Sequence, residues 1–398
     1  MKRNIAVVCA RPPERNTGMA TVDLAAHTAL RRLMPDCNVD LYALGERNLV
    51  TYQPGDLPYE HVNILTDPQR FLAADVILFW GDFVHSHAYW KYDVGLWSGG
   101  ADGKPAATVL SDNALSYMFL SGHSTDDLGK AVIFGSTLIT NTAESFIDTP
   151  YAAAFNRLFK GAGGVLLRDA LSAAKVSLLR GHEATLGCDP AFLLQDSDLH
   201  LLDDYEETAD RSGLGVFFGR SPRRVAMHGL ARALGGHLRQ ECRWVPWFPT
   251  RRLLRYATRP LGMSIPAGHQ TPGAILAQLG SCRFLLTDTY HACVNAWRLG
   301  IPAVCIGQGA ATMENSLGDK KKEILYEMLG AQSLYIFTEN IGSSRERDRQ
   351  AKRLAALLND RSYIDEILVN VRNYAGSAEF RLAASLTAAQ AVSLCLTA

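Results

Sequence analysis

A histidine stands where a predicted strand gives way to a predicted helix, in the segment Thr-Asp-Thr-Tyr-His-Ala at residues 287–292. The spacing of apolar residues predicts a helix from Tyr290 to Leu299, so His291 lies in its first turn. Unpaired backbone N–H groups and the helix dipole favour an anion at that position. His291 can therefore donate to a phosphate or a carboxylate, or move a proton. The alternative is a capped helix whose histidine hydrogen-bonds locally.

Three arginines follow a second predicted strand, which reads Gly-Leu-Gly-Val-Phe-Phe-Gly and ends at Gly219. Arg220 comes directly after that strand, and Arg223 and Arg224 follow Pro222 at the start of a predicted helix. A guanidinium group binds a carboxylate or a phosphate through two parallel hydrogen bonds. We expect Arg220 to bind an anion in a cleft. The alternative is a set of solvated arginines at a helix start.

A carboxylate, Asp82, follows a third predicted strand and stands among aromatic residues. These are Trp80, Phe83, Tyr89, Trp90, Tyr92 and Trp97. Aromatic faces stack on sugar rings, and a carboxylate can bind or deprotonate a hydroxyl group. The cluster therefore indicates a carbohydrate-binding face, and the alternative is an aromatic core patch with a capping aspartate.

The histidines and cysteines form no metal-binding pattern in the sequence. His85 and His87 make a His-x-His pair with no third ligand nearby, and none of the eight cysteines belongs to a Cys-x-x-Cys pair. We expect free thiols in a reducing cytosol, and neither a metal nor another cofactor.

The turn after the first predicted strand holds Asn16 and Gly18, which permit a tight turn at the cleft. This turn does not read Gly-x-Gly-x-x-Gly, so a dinucleotide-binding fingerprint is absent. Neither a P-loop nor a Gly-x-Ser-x-Gly nucleophile elbow occurs in the sequence.

Short apolar runs alternate with helical stretches along the chain, which is the βαβ pattern of parallel sheets covered by helices. A polar, acidic stretch at 196–211 separates two such regions. We predict an α/β fold with domains at 1–204 and 205–375 that face a cleft, and a C-terminal helix at 376–398 that packs across them. Ligands of such sheets bind at the carboxyl ends of strands, near helix N-termini.

The composition is that of an ordinary globular protein of 398 residues, with 40 basic and 40 acidic side chains. This balance argues against disorder and against bulk nucleic-acid binding. Residues 1–200 hold 16 basic and 22 acidic side chains, so the second half carries the opposite excess and suits an anion. No apolar run is long enough to span a membrane, and the N-terminus lacks a secretory signal. We expect a cytoplasmic protein, peripheral at most at the inner face of a membrane.

Five further segments occur in order along the chain. They read G-V-L-L-R-D-A-L-S at 164–172, C-D-P-A-F-L-L at 188–194, G-V-F-F-G-R at 215–220, D-T-Y-H-A-C-V-N-A-W-R-L-G-I-P-A-V at 288–304 and G-D-K-K-K-E-I-L at 318–325. Together with the Asn-Thr-Gly turn at 16–18, this set resembles the polysaccharide pyruvyltransferase family over about residues 1–335.

The resemblance implies two Rossmann-like domains in the arrangement of glycosyltransferase-B enzymes. It also implies transfer of the enolpyruvyl unit of phosphoenolpyruvate onto a sugar diol of a glycan or a lipid-linked precursor. The products are a pyruvate ketal and free phosphate, and no metal is required.

The resemblance also implies roles for the residues singled out above. We expect His291, Asp82 and Arg220 to be catalytic. The residues expected to bind the donor are Arg220, Arg223, Thr289, Tyr290, His291 and Lys321. The residues expected to bind the acceptor are Asn16, Trp80, Asp82, Trp90 and Asp112.

One position departs from the family pattern, because Thr289 stands where the family usually has an arginine. Either another cation supplies that charge, or the donor differs. The candidate cations are Arg223, Arg224, Lys320, Lys321 and Lys322. The alternatives are a glycosyltransferase of the same fold with a nucleotide-sugar donor, and a non-catalytic homologue that binds a ligand in the cleft.

Overall fold

The computed structural model describes most of the chain. The described residues are 2–10, 16–44, 56–81, 84–87, 115–147, 149–181, 184–219, 221, 223–247, 270–309 and 313–397. Four predicted site residues lie outside them, namely Asp82, Trp90, Asp112 and Arg220.

Seven parallel strands form the first sheet, in the order β3-β2-β1-β4-β5-β6-β7. The strands are β1 (Arg3–Cys9), β2 (Cys37–Ala43), β3 (His61–Asn63), β4 (Val76–Trp80), β5 (Ala131–Ser136), β6 (Gly164–Leu167) and β7 (Thr185–Leu186). The helices are α1 (Thr17–Leu33), α2 (Pro68–Leu72), α3 (Thr125–Leu128), α4 (Thr149–Gly161), α5 (Ala170–Arg180) and α6 (Asp196–Leu199), with short 3-10 helices at Ala143–Phe146 and Pro190–Leu193.

Side chains of β1 divide between two hydrophobic cores because successive residues of a strand point to opposite faces. Ala6 and Val8 join a core confined to the first sheet and its helices. Ile5 and Val7 join a core on the other face, which continues into the second sheet. Both faces are covered, which explains why the central strands read as continuous apolar runs.

Five parallel strands form the second sheet, in the order β12-β11-β10-β8-β9. They are β8 (Leu214–Phe217), β9 (Cys242–Trp244), β10 (Phe284–Thr287), β11 (Ala303–Gly307) and β12 (Tyr335–Phe337). The accompanying helices are α7 (Arg224–Leu238), α8 (Pro272–Gly280), α9 (Tyr290–Arg298) and α10 (Met313–Met328), with short 3-10 helices at Gln332–Leu334 and Thr338–Ile341.

Two helices end the chain, α11 (Ser344–Asn359) and α12 (Arg361–Thr397). The predicted helix at 376–398 is the second half of α12, which begins 15 residues earlier than predicted. It returns to the first sheet, where the Gln390 side chain accepts a hydrogen bond from Arg3 and donates one to the Cys37 thiol. The chain therefore ends on the half where it began.

Two further expectations concern membranes and cysteines. Among the described residues, no helix is both long and apolar enough to cross a membrane. All eight cysteines are free thiols, five of them buried and Cys395 exposed, in agreement with the sequence.

Candidate active site

Helix α9 begins where the sequence places it, directly after β10. Thr289 is its N-cap residue, with extended backbone angles (φ −114°, ψ 123°), but its side chain does not cap the helix. Its hydroxyl group instead lies 3.2 Å from Asp288 Oδ1. The first-turn backbone N–H groups therefore receive no side-chain cap from Thr289, which leaves the positive end of the helix dipole facing the strand ends.

His291 lies next to a buried carboxylate. Its Nε2 is 3.6 Å from Asp189 Oδ2, and the same oxygen accepts a hydrogen bond of 3.1 Å from Arg168 Nη1. His291 is 6% exposed, and Arg168 and Asp189 are less exposed still. The other oxygen of Asp189 accepts from the backbone N–H of Ala191, which fixes the carboxylate at the start of a 3-10 helix. A carboxylate held in this way orients the imidazole beside it.

Tyr290 lies between two cationic side chains. The Arg168 guanidinium carbon is 4.6 Å from the centre of the Tyr290 ring, and Lys321 Nζ is 5.0 Å from it. Both cations lie within the range of cation–π attraction. Lys321 is itself buried, at 7% exposed. The structure therefore brings together Tyr290, His291 and Lys321, which the sequence assigned to the donor.

Asp288 fixes the loop that follows β8. Its Oδ1 accepts from the backbone N–H of Gly219 at 2.9 Å, and its Oδ2 accepts from that of Ser221 at 2.8 Å. The Ser221 hydroxyl group in turn accepts from the backbone N–H of Arg223, whose side chain is exposed. One carboxylate thus ties the end of β10 to the residues on both sides of position 220.

A second lysine, Lys322, stabilises the ends of β10 and β11. Lys322 Nζ donates to the backbone carbonyls of Asp288, at 2.9 Å, and Ile306, at 3.1 Å, and pairs with the carboxylate of Asp319. Burial would lower the pKa of Lys322, but Cys305, Asp319 and Asp288 outweigh it and raise that pKa. Lys322 is therefore a positioning cation, fully engaged with the scaffold.

Helix α1 meets α9 across the two halves of the chain. Asn16 caps α1, since its side-chain oxygen accepts from the Gly18 backbone N–H at 3.0 Å. Gly18 lies against the ring of His291, and a Cβ atom at Gly18 would be 2.4 Å from His291 Cβ. The Asn295 amide donates to the Thr21 hydroxyl group at 3.0 Å. The Asn-Thr-Gly turn therefore borders His291.

Trp80 is a correction to the sequence-based assignment. Its side chain is completely buried, its Nε1 donates to the Val22 carbonyl at 2.8 Å, and its ring stacks on Phe134 at 5.0 Å. As the last residue of a strand covered on both faces, it belongs to the core beneath α1. A sugar cannot reach it, so the aromatic-core alternative is correct for this residue.

Arg168 and Asp189 carry the geometry of the site, yet the sequence assigned them no role. Both stand in segments that the family resemblance had singled out, at 164–172 and 188–194. Their roles were missed because Arg168 and Asp189 lie more than 100 residues before His291 in the sequence. Only the fold brings them to α9.

The two parallel sheets and their covering helices define a class of fold, the α/β fold with glycosyltransferase-B-like architecture. Over 97% of its length, the chain matches 99% of UDP-GlcNAc 2-epimerase from Neisseria meningitidis, solved with UDP-GlcNAc bound, at a TM-score of 0.55 and 10% identity. A Listeria monocytogenes protein assigned as a UDP-N-acetylglucosamine 2-epimerase matches at 0.54 and 11%, with 96% of this chain and 95% of that chain covered. At these identities the likeness concerns the fold, and it confirms the predicted fold class.

The family follows from the sequence match. A family model described as polysaccharide pyruvyl transferase matches residues 59–309. The chain belongs to this family, and it is a transferase. No curated protein matches its sequence.

Proposed function

We propose that this protein transfers the enolpyruvyl unit of phosphoenolpyruvate onto two hydroxyl groups of a carbohydrate, forming a pyruvate ketal and releasing phosphate. The observation that carries the proposal is the group around the start of α9, where His291 lies against Asp189 and buried cations flank Tyr290. Family membership supports the reaction class and a carbohydrate acceptor.

The donor carries a phosphate and a carboxylate, so the site must neutralise two anionic groups. The first turn of α9 offers backbone N–H groups, and Lys321 brings a buried cation to the same place. We assign Arg220 to the second anionic group, with Arg223 at the rim. Lys321 then supplies the charge that Thr289 lacks.

His291 serves as the acid in this proposal. It transfers a proton to the methylene carbon C3 of the donor, which leaves C2 with oxocarbenium character. Asp189 stabilises the imidazolium form of the ring without itself taking the proton. The site therefore holds its proton at an oriented nitrogen beside the donor.

The acceptor attacks twice at the same carbon. One hydroxyl group adds to C2 and loses its proton, for which Asp82 is the assigned base. The neighbouring hydroxyl group then attacks C2, the C–O bond to phosphate breaks, and the second proton leaves with the phosphate. The second attack depends on the diol being held in line, which is a proximity effect. Asn16, Trp90 and Asp112 remain the residues assigned to the acceptor.

We place the reaction in the cytoplasm, on a glycan or a lipid-linked precursor at the inner face of the membrane.

The direct test measures phosphate released from phosphoenolpyruvate with a panel of glycan acceptors, together with the mass of each acceptor. The expected product is heavier by one pyruvate less one water. His291→Ala and Arg220→Ala should each abolish phosphate release, whereas His237→Ala and Arg239→Ala, on the far end of α7, should retain it. Substantial phosphate release by both His291→Ala and Arg220→Ala would contradict the roles assigned to these two residues.

A thermal-shift measurement separates this proposal from the nucleotide-sugar alternative. Stabilisation by phosphoenolpyruvate but not by nucleoside diphosphates supports the pyruvyl transfer reaction, because only a ligand of the folded state raises the melting temperature. The reverse result supports a glycosyltransferase. Binding without turnover of either donor supports a non-catalytic homologue.

A further inference from the structure

A sulfur, an oxygen and a nitrogen ligand converge beneath α1, away from the start of α9. They belong to Cys9 at the end of β1, Asp23 in α1 and His61 at the start of β3, and their ligand atoms all lie within 4.8 Å of one another. Cys9 and Asp23 are 1% and 3% exposed. The sequence gives no hint of this set, since the three residues are far apart and follow no ligand spacing.

Strand register explains why the three residues meet. Val7 pairs with Leu41, and Leu41 pairs with His61, so His61 is level with Val7 across the sheet. Cys9 lies two residues further along β1 and therefore points to the same face. Helix α1 covers that face, and Asp23 projects from it towards the sheet.

His61 and Asp23 lie close together but form no hydrogen bond with each other. His61 Nε2 lies 3.1 Å from Asp23 Oδ2, but the contact lacks the geometry of a hydrogen bond. Among the described residues, neither His61 Nε2 nor Asp23 Oδ1 has a hydrogen-bond partner, although both atoms are buried. A buried carboxylate oxygen and a buried imidazole nitrogen that lack hydrogen bonds are costly unless another group satisfies them.

We infer that Cys9, Asp23 and His61 form a binding site for a divalent transition-metal ion of the zinc type. Thiolate, imidazole and carboxylate are the three protein ligands that zinc accepts, and bonds of about 2.0–2.3 Å place tetrahedral ligands roughly 3.3–3.8 Å apart. The ligand atoms, now within 4.8 Å of one another, must move inward to that spacing when the ion binds. The set excludes calcium and magnesium, which prefer oxygen ligands alone.

Tyr59 packs against the histidine of this set. The ring of Tyr59 contacts that of His61 edge-to-face, with centres 5.6 Å apart, and the Tyr59 hydroxyl group donates to the Ala20 carbonyl on α1. This contact restricts rotation of the His61 ring. A cysteine binds a metal as the thiolate, so metal binding displaces a proton from Cys9 to solvent and the affinity falls as the pH falls.

The bound ion ties α1 to two strands of the first sheet. Helix α1 begins with the turn that contacts His291, so the ion stabilises the element that borders the cleft. Three protein ligands leave a fourth position for water. This site is separate from the residues of the proposed reaction, and its existence does not depend on that reaction.

The test titrates Co²⁺, and then Zn²⁺ in competition, into the full-length protein after metal removal by chelation. A thiolate bound to Co²⁺ gives a sulfur-to-metal charge-transfer absorption in the near ultraviolet. We expect this absorption to saturate at one Co²⁺ per chain, to disappear on addition of Zn²⁺, and to be accompanied by a higher melting temperature. Failure to observe stoichiometric binding with a thiolate absorption overturns the inference and leaves a buried Asp–His pair.

Variants assign the ligands. Cys9→Ser should remove the charge-transfer absorption, and His61→Gln should weaken Zn²⁺ binding by more than about 100-fold, beyond the effect of losing an outer-sphere contact. Cys37→Ser, at a half-buried thiol on the neighbouring strand, should bind as the wild type does. Circular dichroism shows whether each variant folds. If Cys9→Ser does not fold, the test rests on Zn²⁺ binding by His61→Gln, because His61 is only half-buried. Unchanged binding in His61→Gln overturns the inference.

Discussion

Gly18 at the start of α1 lies directly against the ring of His291 at the start of α9. A Cβ atom added at Gly18 would be 2.4 Å from Cβ, 2.6 Å from Cγ and 2.8 Å from Nδ1 of the histidine. No real Cβ atom tolerates such contacts, so glycine is required here by close approach and not by an unusual backbone angle. The first helix thus sets the position of the residue to which we assign proton transfer.

We therefore expect Gly18→Ala to displace His291 and to lower both stability and activity. Forcing a methyl group into a well-packed contact costs about 1–3 kcal/mol. Chemical denaturation and phosphate release from phosphoenolpyruvate measure the two effects. Gly236→Ala is the matched control, because an added Cβ on that glycine of α7 meets nothing within 4 Å. An unaffected Gly18→Ala variant would show that α1 does not set the position of His291.

Asp189→Asn should leave donor binding largely intact and reduce turnover. The amide keeps the shape of the carboxylate but cannot stabilise an imidazolium, and a general acid contributes roughly 10²–10⁴-fold to a rate. The expected result is a lower kcat with a nearly unchanged dissociation constant for phosphoenolpyruvate. Loss of the buried pair with Arg168 also lowers the melting temperature.

Asp196→Asn is the control for that variant. Asp196 pairs with Arg298 at 3.3 Å, and like Asp189 it is the carboxylate partner of an almost completely buried arginine, since the Arg298 side chain is 4% exposed. Loss of this pair should therefore lower the melting temperature, but kcat should match that of the wild type because Asp196 does not contact His291. Equal kcat in Asp189→Asn and Asp196→Asn would contradict the role assigned to Asp189.

Asp288→Asn should weaken binding of the donor. Two backbone N–H groups, of Gly219 and Ser221, donate to separate oxygens of this carboxylate. An asparagine can accept only one of these hydrogen bonds, and an unpaired buried N–H group costs about 1–3 kcal/mol. The loop that carries position 220 loosens, so KM for phosphoenolpyruvate should rise more than kcat falls. A fall in kcat alone would indicate that the loop does not hold the donor.

The sequence predicts the fold well wherever a pattern is local. Helix α9 and the strand before it follow from an apolar run and a helix start. The short strands β3, β7 and β12 give no periodic signal in the sequence, because each has only two or three residues and most of these are partly exposed. Site residues that depend on long-range packing are harder to predict from the sequence. Trp80 looks like a sugar platform in the sequence and is core in the structure, whereas Asp189 and Arg168 become part of the site only through the fold.

His85 gives a pH dependence that is independent of catalysis. Burial lowers the pKa of His85 to about 3. The hydrogen bond to the Met118 carbonyl raises this pKa, but by less than burial lowers it. In the unfolded chain its pKa is near 6.5. Between these two values the unfolded state binds more protons than the folded state, so stability is fully present above about pH 6.5 and is lost as the pH falls towards 3.

We expect the free energy of unfolding to fall by up to about 1.4 kcal/mol per pH unit from this residue, well below its unfolded pKa. His85→Gln should flatten that slope, since the glutamine amide cannot titrate and can still donate to the Met118 carbonyl. Denaturant unfolding between pH 4 and pH 7 measures it. A His85→Gln variant with the wild-type slope would mean that the acid sensitivity arises elsewhere, with His228, whose pKa burial lowers to about 4, as the next residue to replace.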